Sequence, residues 1–138
     1  MTAVDLVTAD LRRHEGLRLY PYYDTVGVLT IGYGRNLDDK GLTPAEAEYL
    51  LSNDVAEVVR QVYDQLPWVE TLNDVRKAVL FNMAFNLGIA GLMKFKGTLA
   101  AIEAGEYDKA ASRMLQSKWA GQVGRRATEL ADRMRNGT

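Results

Sequence analysis

The stretch GLRLYPYYDTVGVLTIGYG, residues 16–34, decides the fold class. It is rich in tyrosine, valine, isoleucine and threonine and is interrupted by glycine, a composition typical of strands and tight turns. Gly27 is expected at the positive φ of a tight turn, because glycine adopts that conformation without a steric cost. No other segment predicts strands convincingly, so the sequence predicts one small β lobe.

Helical patterns lie on both sides of this stretch. Residues 3–14 carry apolar side chains at helical spacing. After the β segment, Thr43 is expected as an N-cap, Pro44 at the first helical position, and Glu46 as the partner that closes a capping box. Pro67 then ends this helix, because proline cannot donate the backbone hydrogen bond that a helix interior requires.

A central helix is predicted over residues 71–87, with Gly88 just beyond its C-terminus. Its apolar residues almost surround it, and such a helix is usually buried in the middle of a fold. Shorter helices are expected over residues 94–104, 106–116 and 124–135. The prediction is therefore an α+β chain, with a small N-terminal β lobe after the first helix and a helical bundle around the central one.

The chain has 138 residues and no cysteine. We expect a single domain over residues 1–138, with residues 15–42 as the β lobe and residues 1–14 and 43–138 as the helical lobe. A chain of this length can bury a core without disulfides, and none can form here. The cleft between two such lobes is the natural place for a ligand.

The net charge is −1, but the C-terminal part of the chain is basic. Scattered surface charge explains such a tail, and contact with an anionic polymer is the alternative. The N-terminus lacks the apolar run of a secretory signal, since Asp5 and Asp10 interrupt it, and no stretch is long enough to span a bilayer. We therefore expect synthesis in the cytosol without a signal peptide. The basic residues of the tail are Arg113, Lys118, Arg125, Arg126, Arg133 and Arg135.

Carboxylates are the best candidates for chemistry. His14 is the one histidine, so metal sites built from several histidines are excluded, and no serine lies in a nucleophile elbow. We expect neither a metal nor a cofactor. Glu15 follows the first helical pattern, and Asp24 lies nine residues on, within the β segment. Glycoside hydrolysis uses two such carboxyl groups, one as a protonated acid and one ionised beside the attacking water.

The spacing of these residues resembles the catalytic signature of the T4-type phage lysozymes, glycoside hydrolase family 24. Glu15, Asp24 and Thr30 stand at the family's intervals, and Thr30 continues as TIGYG through Gly34. The similarity extends over essentially the whole chain in order. Other matching segments are residues 15–19, 23–25, 42–48, 75–78, 82–88 and 117–119.

The resemblance implies an endolysin or lysozyme, a muramidase that hydrolyses the β-1,4 bond between N-acetylmuramic acid and N-acetylglucosamine in bacterial peptidoglycan. It implies Glu15 as the general acid, with Asp24 and Thr30 positioning the attacking water. A threonine hydroxyl beside the carboxylate suggests a water held between protein and sugar, and therefore inversion at the anomeric carbon.

Four further residues are expected to bind substrate by the same resemblance. Arg126 stands where the family has an arginine that pairs with the catalytic glutamate, and Asn86 occupies a cleft position often filled by glutamine. Tyr33 and Trp119 flank that region. Trp119 also fits a core anchor and Arg126 a solvated charge. Arg35 follows the TIGYG signature where the family's type member has histidine, so no ion pair through that histidine is assumed.

Three other functions compete with this one. A lytic transglycosylase needs only the acid, and the presence of both Asp24 and Thr30 argues against it. A peptidoglycan-binding module without activity would have lost one of the three catalytic residues. Nucleic acid is not expected as a partner, because the net charge is near neutral. We expect a monomer without stable membrane insertion, reaching the cell wall after membrane permeabilisation, with possible dependence on a holin.

Overall fold

A computed structural model describes residues 1–138 and divides them into two compact units, Met1–Tyr49 and Leu50–Thr138. The chain is mostly helical and has one small antiparallel sheet. The predicted α+β, lysozyme-like class is therefore confirmed. The single-domain organisation over the whole chain stays a prediction.

The first unit begins with helix α1, Ala3–Glu15. Thr2 caps it, since its hydroxyl accepts a 3.1 Å hydrogen bond from the Asp5 N–H and the Asp5 carboxylate accepts one of 2.9 Å from the Thr2 N–H. This reciprocal capping box satisfies backbone donors that have no partner inside the helix. Gly16 ends the helix at φ 69°, a conformation that favours glycine, and the chain then enters the sheet.

The sheet contains three antiparallel strands in chain order: β1, Arg18–Tyr23, β2, Leu29–Gly32, and β3, Arg35–Asn36. Thr30 lies in the central strand and is paired on both sides. Gly27 lies in the turn between β1 and β2 at φ 84°, as predicted. The two-residue strand β3 was not predicted, because so short a segment gives no recognisable alternation.

Helix α2, Pro44–Gln65, begins with the predicted cap. The Thr43 N–H donates to Oε1 of Glu46 at 2.8 Å, and the Glu46 N–H donates to the Thr43 hydroxyl at 3.2 Å. Leu66 and the short 3₁₀ helix Pro67–Thr71 follow. The helix therefore ends before Pro67, as predicted, whereas the 3₁₀ turn was not expected.

Helix α3, Asp74–Met93, is the predicted central helix with different ends. It begins three residues later than predicted, after Asn73, whose side chain caps it by accepting a 2.9 Å hydrogen bond from the Arg76 N–H. Gly88 interrupts the helical conformation at φ 76°, where the sequence predicted the end, but helical turns resume beyond it. The predicted stop was a break between two helical segments.

Four shorter helices complete the second unit: α4, Lys96–Glu103, α5, Tyr107–Gln116, α6, Lys118–Val123, and α7, Arg125–Asn136. Three of them were predicted with ends that differ by at most two residues. Helix α6 was missed, because six residues are too few to show a helical period.

The apolar core lies entirely within Leu50–Thr138, since every buried hydrophobic residue belongs to that unit. Helix α3 contributes several of them, although Phe85 on the same helix is 46% exposed, so α3 is not buried on all sides. No single helix has the length and apolarity to cross a membrane; the bent pair α3–α4 meets that test by length and composition. The largest fully buried side chains are Leu80, Met83, Leu92, Ile102, Met114 and Met134.

Candidate active site

Glu15 is the last residue of helix α1, and its exposed side chain lies against the backbone of Gly34. A methyl group added at Gly34 would lie 2.7 Å from Oε2 of Glu15 and 2.9 Å from its Cδ. Both distances are shorter than non-bonded atoms tolerate, so only glycine leaves room for the carboxyl group in this position. Gly34 also has φ 74°, which independently favours glycine.

Asp24 lies in the turn between β1 and β2 and uses its carboxylate to shape that turn. Its Oδ1 accepts hydrogen bonds from the Val26 N–H at 2.9 Å and from the Val28 N–H at 2.8 Å. The Asp24 N–H in turn donates to the Val28 carbonyl at 2.9 Å. Oδ2 has no partner in the chain, so one carboxylate oxygen remains for a ligand.

Thr30 is 4% exposed and is the one buried residue of the first unit. Its hydroxyl donates a 2.8 Å hydrogen bond to the carbonyl of Val28. Val28 thus bonds Asp24 through its N–H and Thr30 through its carbonyl. Because a hydroxyl has one proton, the Thr30 oxygen can only accept further hydrogen bonds.

Arg35 and Glu46 form a paired contact beside the sheet. The guanidinium of Arg35 contacts both oxygens of the Glu46 carboxylate and also donates to the Gly41 carbonyl at 2.9 Å. The hydrogen bond from Arg35, followed by the one from the Thr43 N–H, lowers the pKa of Glu46 from its ordinary value of 4.5 to about 2. Glu46 therefore stays ionised at any pH at which the protein is expected to work.

Two of the predicted binding residues meet in the second unit. The indole N–H of Trp119 donates a 2.8 Å hydrogen bond to Oδ1 of Asn86. Trp119 itself is 4% exposed and packs edge-to-face on Phe95, with ring centroids 6.1 Å apart. The indole thus orients the exposed Asn86 amide from within the core.

Arg126 is half-buried and is held by Asn82. Its Nε and Nη2 donate to Oδ1 of Asn82 at 2.9 and 2.7 Å. The two residues line a cavity of about 370 Å³ whose other walls are apolar. Asn82, expected from the sequence to be a hydrogen-bonded structural residue, therefore fixes the direction of the arginine. The apolar walls are formed by Leu51, Val55, Val58, Ala78, Phe81 and Phe85.

A sequence profile of phage lysozymes, described as "Phage lysozyme", matches residues 12–136. The chain belongs to the phage lysozyme family. The match includes every predicted site residue from Glu15 to Arg126, so the family resemblance seen in the sequence is confirmed. Together with the endolysins among its relatives, it gives the function as that of a lysozyme-type hydrolase acting on peptidoglycan.

Three relatives differ in how much of their length this chain spans. The pre-baseplate central spike protein Gp5 of Enterobacteria phage T4 is 31% identical over 87% of this chain, which spans 26% of that protein. The SAR-endolysin of Bacteriophage PS119 is 31% identical, over 83% of this chain and 73% of its own length. The probable T4-type lysozyme 1 of Dictyostelium discoideum is 28% identical, over 93% of this chain and 92% of its own length.

The predicted site residues fall into two groups. The first group, in Met1–Tyr49, contains Glu15, Asp24, Thr30 and Tyr33. Tyr33 is 48% exposed and lies in the link between β2 and β3. Asn86, Trp119 and Arg126 belong to Leu50–Thr138.

Sequence reasoning missed the close approach of Gly34 to Glu15 and the pairing of Arg35 with Glu46. The TIGYG signature already contained Gly34, but nothing in it marks which side chain a glycine faces. The capping box singled out Glu46 for the cap alone. Its partner Arg35 lies eleven residues earlier, a separation with no local periodic signal.

Proposed function

We propose that this chain is a muramidase that hydrolyses the β-1,4 bond between N-acetylmuramic acid and N-acetylglucosamine, with Glu15 as the general acid and Asp24 and Thr30 holding the attacking water. The observation that carries the proposal is the arrangement of the two water-holding groups around Val28. The Asp24 carboxylate has a free oxygen, and the Thr30 hydroxyl has already given its proton to the Val28 carbonyl.

Both groups therefore present acceptors to a water molecule. A water that donates one hydrogen to Asp24 and the other to Thr30 is left with its lone pairs directed away from both. Those lone pairs are what must attack the anomeric carbon. Asp24, as the ionised partner, then takes the proton that the water loses, while Glu15 gives its own proton to the leaving oxygen.

This arrangement supports inversion of configuration. A water between carboxylate and sugar attacks from the face opposite the leaving group, whereas retention requires the carboxylate itself to reach the anomeric carbon. The β-linked substrate should therefore release the α-anomer. Nuclear magnetic resonance of the fresh product, before mutarotation, tests this; a dominant β-anomer or a trapped sugar ester of Asp24 would contradict it.

Substrate contacts are proposed for Tyr33, Asn86, Trp119 and Arg126. Asn86 and Arg126 carry donor groups that their partners inside the unit leave free, which suits the hydroxyl and acetamido oxygens of a sugar chain. The burial of Trp119 favours an indirect contribution, in which it orients Asn86.

We further propose a monomeric protein that acts on the cell wall after membrane permeabilisation, with dependence on a holin for access. The names of the SAR-endolysin relatives support an endolysin role. Lysis by expressed protein, compared with and without a co-expressed holin, tests the access route.

The decisive experiment is a turbidity assay on bacteria stripped of their outer membrane. Glu15→Gln should keep the fold and abolish lysis, because glutamine cannot donate the proton. Asp10→Asn removes one negative charge from the same helix and should lyse like the unmodified protein. Full activity of a folded Glu15→Gln protein would refute the assignment, and a product lacking a reducing end would identify a transglycosylase instead.

A further inference from the structure

The carboxyl group of Glu15 is positioned against a segment that has little sheet structure of its own. Gly34, whose backbone lies against that carboxyl, is followed by strand β3, which has only two residues. Two residues form too few ladder hydrogen bonds to fix a backbone precisely. Other contacts must therefore hold the segment in place.

Hydrogen bonds join Leu29 to Leu37 and Asp38 on the far side of β3, and next to Gly34 the side chain of Arg35 supplies further contacts. It is the residue after Gly34 and pairs in the ladder with Ile31. Its guanidinium reaches forward to the Gly41 carbonyl and to both carboxylate oxygens of Glu46. A planar guanidinium bound at two points resists rotation as well as translation, which a single contact does not.

Glu46 is a suitable anchor for this arginine because its own position is fixed twice. It lies in the first turn of helix α2, and its Oε1 accepts a 2.8 Å hydrogen bond from the Thr43 N–H. It also remains charged, since its pKa is about 2. The ion pair is half-buried, so bulk water screens it less than a fully exposed pair.

We propose that Arg35, through its ion pair with Glu46, is a positioning residue for the carboxyl group of Glu15. The pair holds the segment that carries Gly34, and Gly34 sets the position of the acid. This inference rests on the proposed role of Glu15 as the acid. Neither Arg35 nor Glu46 touches the substrate in this scheme, so their effect is on the geometry of proton donation.

The test uses two disruptive variants and two controls. Glu46→Gln keeps an oxygen for the Thr43 N–H but loses the charge, and Arg35→Met loses the guanidinium. Arg35→Lys keeps a cation that can reach Glu46. Thr43→Ala removes the hydroxyl that caps helix α2 but leaves the Thr43 N–H and both side chains of the ion pair in place, and so controls for loss of stability at the same helix start.

Kinetics on soluble peptidoglycan fragments provide the first measurement, well below each variant's unfolding temperature. Glu46→Gln and Arg35→Met should lose about tenfold in kcat with KM nearly unchanged, because misplacement of a catalytic group slows the chemical step. Arg35→Lys should recover much of kcat, and Thr43→Ala should keep it. Unchanged kcat in the first two variants, or an equal loss in Thr43→Ala, would overturn the proposal.

The second measurement does not need activity. The ¹³C resonance of the Glu15 carboxyl, assigned by its loss in Glu15→Gln, should move in Glu46→Gln and Arg35→Met but not in Thr43→Ala. An unmoved resonance would overturn the positioning role even if the protein proved inactive. If the unmodified protein proved inactive but the resonance moved in these variants, the proposed function would be refuted and the positioning role would be supported.

Discussion

The two compact units of the chain are stabilised in different ways. Leu50–Thr138 contains every buried hydrophobic side chain of the chain, including the fully buried Leu80 and Met83. Met1–Tyr49 buries one residue, Thr30, and its turns are fixed by hydrogen bonds that the Asp24 carboxylate accepts and by the ion pair of Arg35. Leu50–Thr138, the helical unit, is therefore stabilised mainly by packing, and Met1–Tyr49, the sheet unit, by directional polar contacts.

This difference assigns different consequences to mutation. Packing contributes free energy in proportion to the apolar area removed from water and is not directional. A single hydrogen bond contributes less net free energy than the burial of a large apolar side chain, but its strength depends steeply on distance and angle. We therefore expect core changes in the helical unit to alter mainly stability, whereas changes in the sheet unit that displace a catalytic group should alter activity beyond their effect on stability.

The largest effect should come from a cavity in the helical unit. Leu80→Ala should lower the free energy of unfolding by about 2–5 kcal/mol, the usual cost of removing a buried leucine side chain. Leu115 is 41% exposed, so Leu115→Ala should cost about 0.5 kcal/mol. Urea unfolding measures both. If Leu80→Ala instead lowered kcat per folded molecule, the division between the units would be wrong.

The comparison is sharpest at two glycines of the sheet unit. Gly34→Ala and Gly27→Ala both force a side chain into a positive φ, at a cost of about 1–2 kcal/mol. Only at Gly34 does the new methyl group meet Glu15, whose flexible carboxyl can move aside. Turnover should fall about 100-fold in Gly34→Ala, the scale for a misplaced catalytic group.

Gly27→Ala should keep near-normal turnover, since no atom lies within 4 Å of the added methyl group. Thermal unfolding should show similar losses of stability in the two variants. Equal turnover would mean that the contact between Gly34 and Glu15 has no catalytic role.

The ion pair of the sheet unit should make the stability of the protein depend on pH in the acid range. The pKa of Glu46 is lowered from 4.5 to about 2 by Arg35 and Thr43, so its stabilising contribution is complete above pH 4.5 and is lost as pH falls towards 2. The difference in Tm between the unmodified protein and Glu46→Gln should therefore be largest near neutral pH and shrink over that interval. A constant difference would show that the charge of Glu46 does not contribute.

The smallest effect concerns the basic tail of the helical unit. Arg133 and Arg135 are already paired with acidic side chains, whereas Lys118 and Arg125 have none. Neutralising the latter two should weaken action on whole walls a few-fold at low salt, and the deficit should vanish above roughly 0.1 M salt. Arg133→Gln serves as the matched control. Equal salt dependence on a short neutral oligosaccharide would exclude attraction to the wall.

The sequence predicted the features that depend on residues close together in the chain. The helix start at Thr43 and the turn at Gly27 each follow from the conformational limits of a few adjacent residues. The same limits predicted that Gly88 leaves the helical conformation, but not that the helix resumes beyond it. The catalytic assignment came from the spacing of Glu15, Asp24 and Thr30 and remains a prediction. What the sequence could not predict were contacts between residues far apart, such as Arg126 with Asn82, because side-chain direction depends on packing that no local pattern records.

The turn from Asp24 to Thr30 also bears on the order in which the molecule folds. Its side-chain hydrogen bonds join residues separated by two to four positions, and none involves the helical core. Closing such short loops costs little conformational entropy, and hairpins form in about 1–10 μs. The groups that hold the water can therefore assemble early in folding, before the slower consolidation of the helices.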